Sequence, residues 1–188
     1  REAILKGTHF GRALRPKPLE HPLLDDPRLA EVERRLRKPD LRSRAAWQFG
    51  TSGGGNHFVE FGVFTAREKI QSLEPGEYVA LLSHSGSRGT GAAVCEHYSQ
   101  LAMEQHPELP KEHKHLAWLA LDSAEGQEYW AAMELMGRYA AANHACIHRH
   151  VAANLGAEVL FDLENHHNFA WKEKHLVDGA ERLVEQEH

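Results

Sequence analysis

Two stretches decide the fold: residues 50–64, GTSGGGNHFVEFGVF, and residues 78–89, YVALLSHSGSRG. In the first, a glycine-rich run ends in Asn56-His57 and passes straight into Phe58–Phe64, whose aromatic and β-branched residues predict a buried strand. In the second the order reverses. Tyr78–Leu82 predicts another buried strand, and it runs into the polar cluster His84-Ser85-Gly86-Ser87-Arg88-Gly89. Glu74-Pro75-Gly76-Glu77 between them is a turn signal. A third stretch has the same design: Glu158–Leu163 predicts a strand leading into Glu164-Asn165-His166-His167-Asn168. Each apolar segment thus delivers a histidine at its end, and strand ends hold geometry better than free loops.

Outward from these stretches the chain turns helical. Residues 11–27 hold four prolines and predict an extended connector, because proline fixes φ and biases its predecessor away from helix. Asp26-Pro27 predicts a helix start, with Leu29, Val32 and Leu36 on one stripe and Pro39 as the stop. Residues 90–105 predict a helix, and residues 106–122 an irregular segment. Residues 124–155, rich in Ala, Glu, Met and Leu, predict one long helix or two consecutive ones. The expected class is therefore α+β or mixed α/β.

Composition narrows the function classes. Of 188 residues, 41% are hydrophobic and 26% charged, which suits a globular domain. No run approaches the roughly 18 apolar residues of a membrane-spanning helix. The net charge of −5 argues against coating nucleic acid by bulk charge, but it leaves room for a local basic site. Two cysteines, Cys95 and Cys146, make no disulfide framework and suit a reducing, cytoplasmic setting. The chain opens at Arg1 on REAILKG, which reads as protein interior, and closes on ERLVEQEH without a cap. The expectation is an internal or truncated piece, with any site only partly present.

The 15 histidines are the unusual feature. His57, His84 and one of the pair His166-His167 lie 27 and 83 positions apart, too far for a zinc finger, so a shared metal site would be assembled by the fold. Neutral imidazoles suit a borderline divalent ion such as Mn, Fe, Co or Zn. Neighbours on a strand face opposite ways, so one of the pair is the ligand. His167 is the choice, because Asn168 follows it. Gly53-Gly54-Gly55 lets backbone N–H groups approach an anion, Ser85, Ser87 and Arg88 offer donors to phosphate oxygens, and Gly89 and Gly91 open a helix. Together these read as metal-assisted phosphoryl or nucleotidyl chemistry.

GTSGGGNHFVEF, HSGSRGTG and ENHHNFAWKEKH, in this order, resemble the RtcB family of RNA-splicing ligases. GQEYWAAMELMGRYAAANHACI resembles that family's central helix. The resemblance covers residues 50–175 and implies that residues 1–188 are the central part of a single RtcB-like catalytic domain. It implies GTP- and manganese-dependent joining of an RNA 3′-phosphate or 2′,3′-cyclic phosphate to a 5′-hydroxyl, on tRNA halves or broken RNA. It implies two manganese ions, His57 serving one and His84 and His167 the other. Asn56, His57, Phe58, Val59, Glu60, His167 and Asn168 are implied guanylate-binding residues, and Arg88 lies by the RNA phosphate. The family's D-x-x-C motif and its guanylylated histidine, in an H-R-K-G-A type motif, have no counterpart here, so no residue is assigned the nucleophile's role. The alternative is a catalytically inactive relative that binds metal or nucleotide.

The remaining residues read more plainly. Cys95 is expected to be a buried structural thiol. It could stand near the metal site only if the fold returned it toward His84. His144 and His148, four apart on a helix, could chelate, but no carboxylate completes them in the sequence. Trp47, Trp118, Trp130 and Trp171 are expected in packing, with base stacking as the rival reading for Trp171. The run Arg34, Arg35, Arg37, Lys38, Arg42, Arg44 is expected to be a solvated helix face, with RNA-backbone contact as the rival reading.

Overall fold

A computed structural model of the chain describes residues 1–166, 169–178 and 180–187. Its elements run α1 (Glu2–Gly7), α2 (Pro27–Arg35), α3 (Leu41–Gln48), β1 (Phe58–Ala66), β2 (Gly76–His84), α4 (Arg88–Gln105), α5 (Ala124–Leu155), β3 (Ala170–Val177) and β4 (Ala180–Glu187), with two short 3₁₀ turns at Pro22–Asp25 and Lys111–Leu116. The fold is mixed α and β, and its two described sheets are both two-stranded and antiparallel.

Residues 124–155 form one continuous helix rather than two. Ser123 accepts the Gly126 N–H at 3.0 Å to start it, and Gly156 ends it in the left-handed region at φ 69°. At the start of α2, the Asp26 carboxylate accepts the Arg28 N–H at 2.9 Å, as the Asp-Pro signal predicts. The connector before it holds no helix or strand apart from the first 3₁₀ turn, but it turns at Gly11-Arg12 and bends at Pro16-Lys17 rather than running extended throughout. The sequence reading did not pick out α3.

The main core lies where α2, α3 and α4 meet α5. Leu29, Leu41, Ala45, Phe49, Leu135 and Tyr139 are fully buried there. Each large side chain buried this way contributes roughly 1.5–3 kcal/mol. The Tyr139 hydroxyl donates to Ala45 O at 2.7 Å, so its one polar atom is satisfied inside that core. A smaller core of Val59, Ile147 and Val151 fixes the base of the β1–β2 hairpin to α5.

The hairpin register runs from Phe58↔His84 to Ala66↔Gly76. Entry to β1 and exit from β2 therefore share one edge. The two strands are not buried as expected. Only Val59 and Ala66 of β1 are buried, while Val63 and Val79, paired opposite each other, are 71% and 76% exposed. The physical reason is that α5 covers only the base of the hairpin.

The strand expected at Glu158–Leu163 does not form. Its backbone is irregular, and Val159, Leu160 and Leu163 are exposed. An apolar β-type run still needs a neighbouring edge to pair with. Here the segment is held instead by side-chain contacts, such as the Ser72 hydroxyl donating to Leu160 O at 3.2 Å and His148 Nδ1 standing 3.9 Å from Asp162.

Candidate functional site

The hairpin explains how residues 27 positions apart meet. His57 stands just before β1 and His84 ends β2, and their rings lie 5.6 Å apart, edge to face. The Phe58 ring stacks on His84 at 5.7 Å, and Asn56 Nδ2 lies 3.4 Å from His84 Nε2. Burial holds the His57 imidazolium below its ordinary range, and the Arg88, His84 and His144 charges push the same way. His57 is therefore neutral at pH 7, with a nitrogen lone pair to offer.

Beneath the histidines the glycine loop is bound to Arg88. Its Nε donates to Thr51 Oγ1 at 3.0 Å, one terminal nitrogen donates to Gly11 O at 3.3 Å, and the other lies 3.5 Å from His57 Nδ1. Arg88 itself has φ 58°, an unfavourable conformation for a bulky residue. Gly53, at φ +105°, leaves the space these groups occupy. A Cβ there would lie 2.1 Å from an Arg88 terminal nitrogen and 2.5 Å from His57 Nδ1.

Two of the expected phosphate donors already have protein partners. The Ser85 hydroxyl donates to Ser52 O at 2.6 Å, and the Gly89 N–H at the start of α4 donates to Gln48 Oε1 at 3.0 Å. Ser87 lines the open cavity. Val59 is buried against Ile147 and Val151, whereas Glu60, on the other face of β1, is exposed.

The cavity encloses about 820 Å³ and is lined by Asn56, His57, Phe58, His84, Ser85 and Ser87 from the first two clusters. Glu164, Asn165 and His166 bring the third cluster to the same wall. His167 and Asn168 lie outside the described residues. Among the described residues, no three His, Cys, Asp or Glu side chains converge closely enough to hold a metal ion. His57 and His84 fit as part of a coordination shell, not the whole of one.

Sequence reasoning missed several residues here. Asn143, fully buried in α5, accepts the Gly50 N–H at 2.7 Å. Its amide donates toward Thr51 O, Ser85 Oγ and Gly86 O at 3.1–3.3 Å. It joins the first two clusters through the core, and no local pattern marks it. His144 and His148 were visible by spacing, but the carboxylates facing them were not. His144 Nδ1 stands 3.6 Å from Glu164, and His148 Nδ1 stands 3.9 Å from Asp162. Among the described residues His144 Nε2 is buried without a hydrogen-bond partner, and His148 Nε2 lies 2.7 Å from Ser83 Oγ.

Cys95 corrects the sequence reading. It is exposed and lines the cavity that His84 lines, because it sits on the outer face of α4 while Val94 and Tyr98 take the core. Arg37 of the basic run is exposed, and the other five residues meet carboxylates: Arg34 and Arg35 pair with Glu31, Lys38 with Glu96, Arg42 with Glu33 and Arg44 with Asp40. These side chains form a solvated, internally neutralised surface. Trp118 is 55% exposed and stacks on His106, so packing does not account for it fully.

The chain is a mixed α/β domain in which residues of all three histidine clusters line one cavity, beside an arginine-bound glycine loop. The chain belongs to the RtcB family: the family described as tRNA-splicing ligase RtcB matches residues 18–186. It is 31% identical over 177 residues to a tRNA-splicing ligase RtcB of Methanococcus maripaludis, covering 84% of this chain and 36% of that protein. It is 34% identical over 160 residues to that of Archaeoglobus fulgidus, covering 73% of this chain and 32% of that protein. For the Methanopyrus kandleri protein of the same name the figures are 32% over 163 residues, 73% and 16%. The chain thus spans 36% or less of the length of these relatives. No described helix is long and apolar enough to cross a membrane.

Proposed function

We propose that the protein is an RNA ligase, joining an RNA 3′-phosphate or 2′,3′-cyclic phosphate to a 5′-hydroxyl with GTP and manganese. The observation that carries the reading is the meeting of His57 and His84 at one hairpin edge, 5.6 Å apart, above the Arg88-bound glycine loop. Relatives named as tRNA-splicing ligases support it. The substrates are tRNA halves or broken RNA, and the setting is the cytoplasm, which free Cys95 and Cys146 suit.

In this reading His57 would hold one manganese ion through an imidazole nitrogen, and His84 and His167 would hold the other. Bound manganese supplies charge neutralisation at the GTP and RNA phosphates. Asn56–Glu60 and His167-Asn168 hold the guanylate. Arg88, pinned by Thr51 and Gly11, keeps a guanidinium charge beside His57 for the RNA phosphate. Ser87 adds a hydroxyl from the cavity wall, while Ser85 holds the loop. The covalent step belongs to a histidine that these residues do not include.

The test is transfer of label from α-labelled GTP to the protein expressed from its complete reading frame, with manganese. A guanylylated protein that then seals a 3′-phosphate end to a 5′-hydroxyl end is the expected result. Manganese binding without labelling at any pH overturns the ligase reading in favour of an inactive, metal-binding relative.

A further inference from the structure

We infer that the connector Phe10–Leu19 is the track along which the RNA backbone runs toward the His57–His84 cavity. The inference rests on the RNA-ligase reading and assigns the strand a path. Residues 10–19 carry Arg12, Arg15 and Lys17 and no Asp or Glu, in a chain whose net charge is −5. The connector is bound to the glycine loop. The Gly11 N–H donates to Gly53 O at 2.7 Å, Arg88 donates to Gly11 O at 3.3 Å, and Arg15 donates to Gly50 O at 3.3 Å. Phe10 pairs with Gly53 as a bridge, and Arg15 N–H donates to Trp47 O.

These contacts fix the segment's backbone and leave its outer side chains to solvent. Arg12 and Lys17 are exposed, and among the described residues no carboxylate pairs with either. The contrast with α2 is the deciding one, since Arg34 and Arg35 share Glu31. A cation already neutralised gains little from a phosphate, whereas a free one releases counterions on binding. Pro16 and Pro18 each fix φ, so less chain entropy is lost when the segment meets a strand. The chemistry recognised is the phosphodiester backbone of single-stranded RNA, without base preference.

The experiment is fluorescence anisotropy of a labelled single-stranded RNA carrying a 3′-phosphate, titrated at several salt concentrations. The parent chain is compared with Arg12→Glu/Lys17→Glu, Arg12→Gln/Lys17→Gln and Arg34→Glu, with circular dichroism confirming that each variant is folded. The expected result is an affinity loss of at least tenfold for the Glu pair. The Gln pair is expected to lower the log–log salt slope by about 1.4, two contacts at roughly 0.7 each. Arg34→Glu should stay within twofold of the parent. Binding by the parent with no change in either pair overturns the track but leaves the ligase reading standing. No binding by the parent at low salt overturns the track and counts against the RNA reading, while guanylylation tests the ligase reading separately.

Discussion

Gly53 shows how much a single residue carries at this site. Its φ of +105° is one an L side chain rarely adopts, and the space beside it is taken by Arg88 and His57. Gly53→Ala is expected to cost about 1–3 kcal/mol of stability and to displace both groups. Urea unfolding measures the first effect, and manganese affinity the second. Asn143 is the second such residue. Asn143→Ala leaves the Gly50 N–H unpaired in the core, at a cost of about 1–3 kcal/mol or more by the same unfolding assay. His84→Ala removes a proposed ligand, so it is expected to weaken manganese binding by more than the 10–100-fold typical of an orienting partner. Calorimetry on the folded variant checks this. A larger effect from His166→Ala would show that the choice of His167 within the pair is wrong.

At the scale of elements, α5 is the structural spine. Leu135 and Tyr139 face the main core, Ile147 and Val151 face the hairpin, and Asn143 lies between them. One helix therefore sets the position of the glycine loop and of the hairpin's base together. Ile147→Ala is expected to destabilise by about 2–5 kcal/mol, because the site is fully buried and the cavity left behind cannot close freely. Val63→Thr, on the exposed outer half of the hairpin, is expected to change stability by less than about 0.5 kcal/mol. Comparable losses from both would mean that the outer half of the hairpin is covered in solution.

The whole molecule's response to pH near neutrality follows from its partly buried histidines. Burial is the first cause lowering the pKa of His9, His57, His148 and His150, and Arg15 or Arg88 adds to it at three of them. A histidine lowered in the folded state binds fewer protons there than in the unfolded chain. Stability is then fully present above the unfolded value near 6.5, and it is lost as pH falls through that value toward the lowered folded one. The urea midpoint should therefore be flat above about pH 7.5 and should fall between about pH 6.5 and 5. A midpoint that rises on acidification would contradict the placement of these rings.

The sequence by itself determined the local pieces. Glycine, proline and apolar periodicity are short-range signals, and they gave the α5 span, the start of α2, both strands of the first hairpin and the three histidine clusters. The motifs around His57, His84 and His166-His167 also carried the family. Only the tertiary structure decided what those pieces share. The antiparallel register put His57 beside His84. The helix packing drove Asn143 into the back of the loop, and the chain's return brought Asp162 and Glu164 to face His148 and His144. It also denied Glu158–Leu163 a partner strand, turned Cys95 outward and neutralised the arginines of α2. Pairing edges, burial and charge neutralisation depend on residues far away in the chain, so no local pattern can encode them.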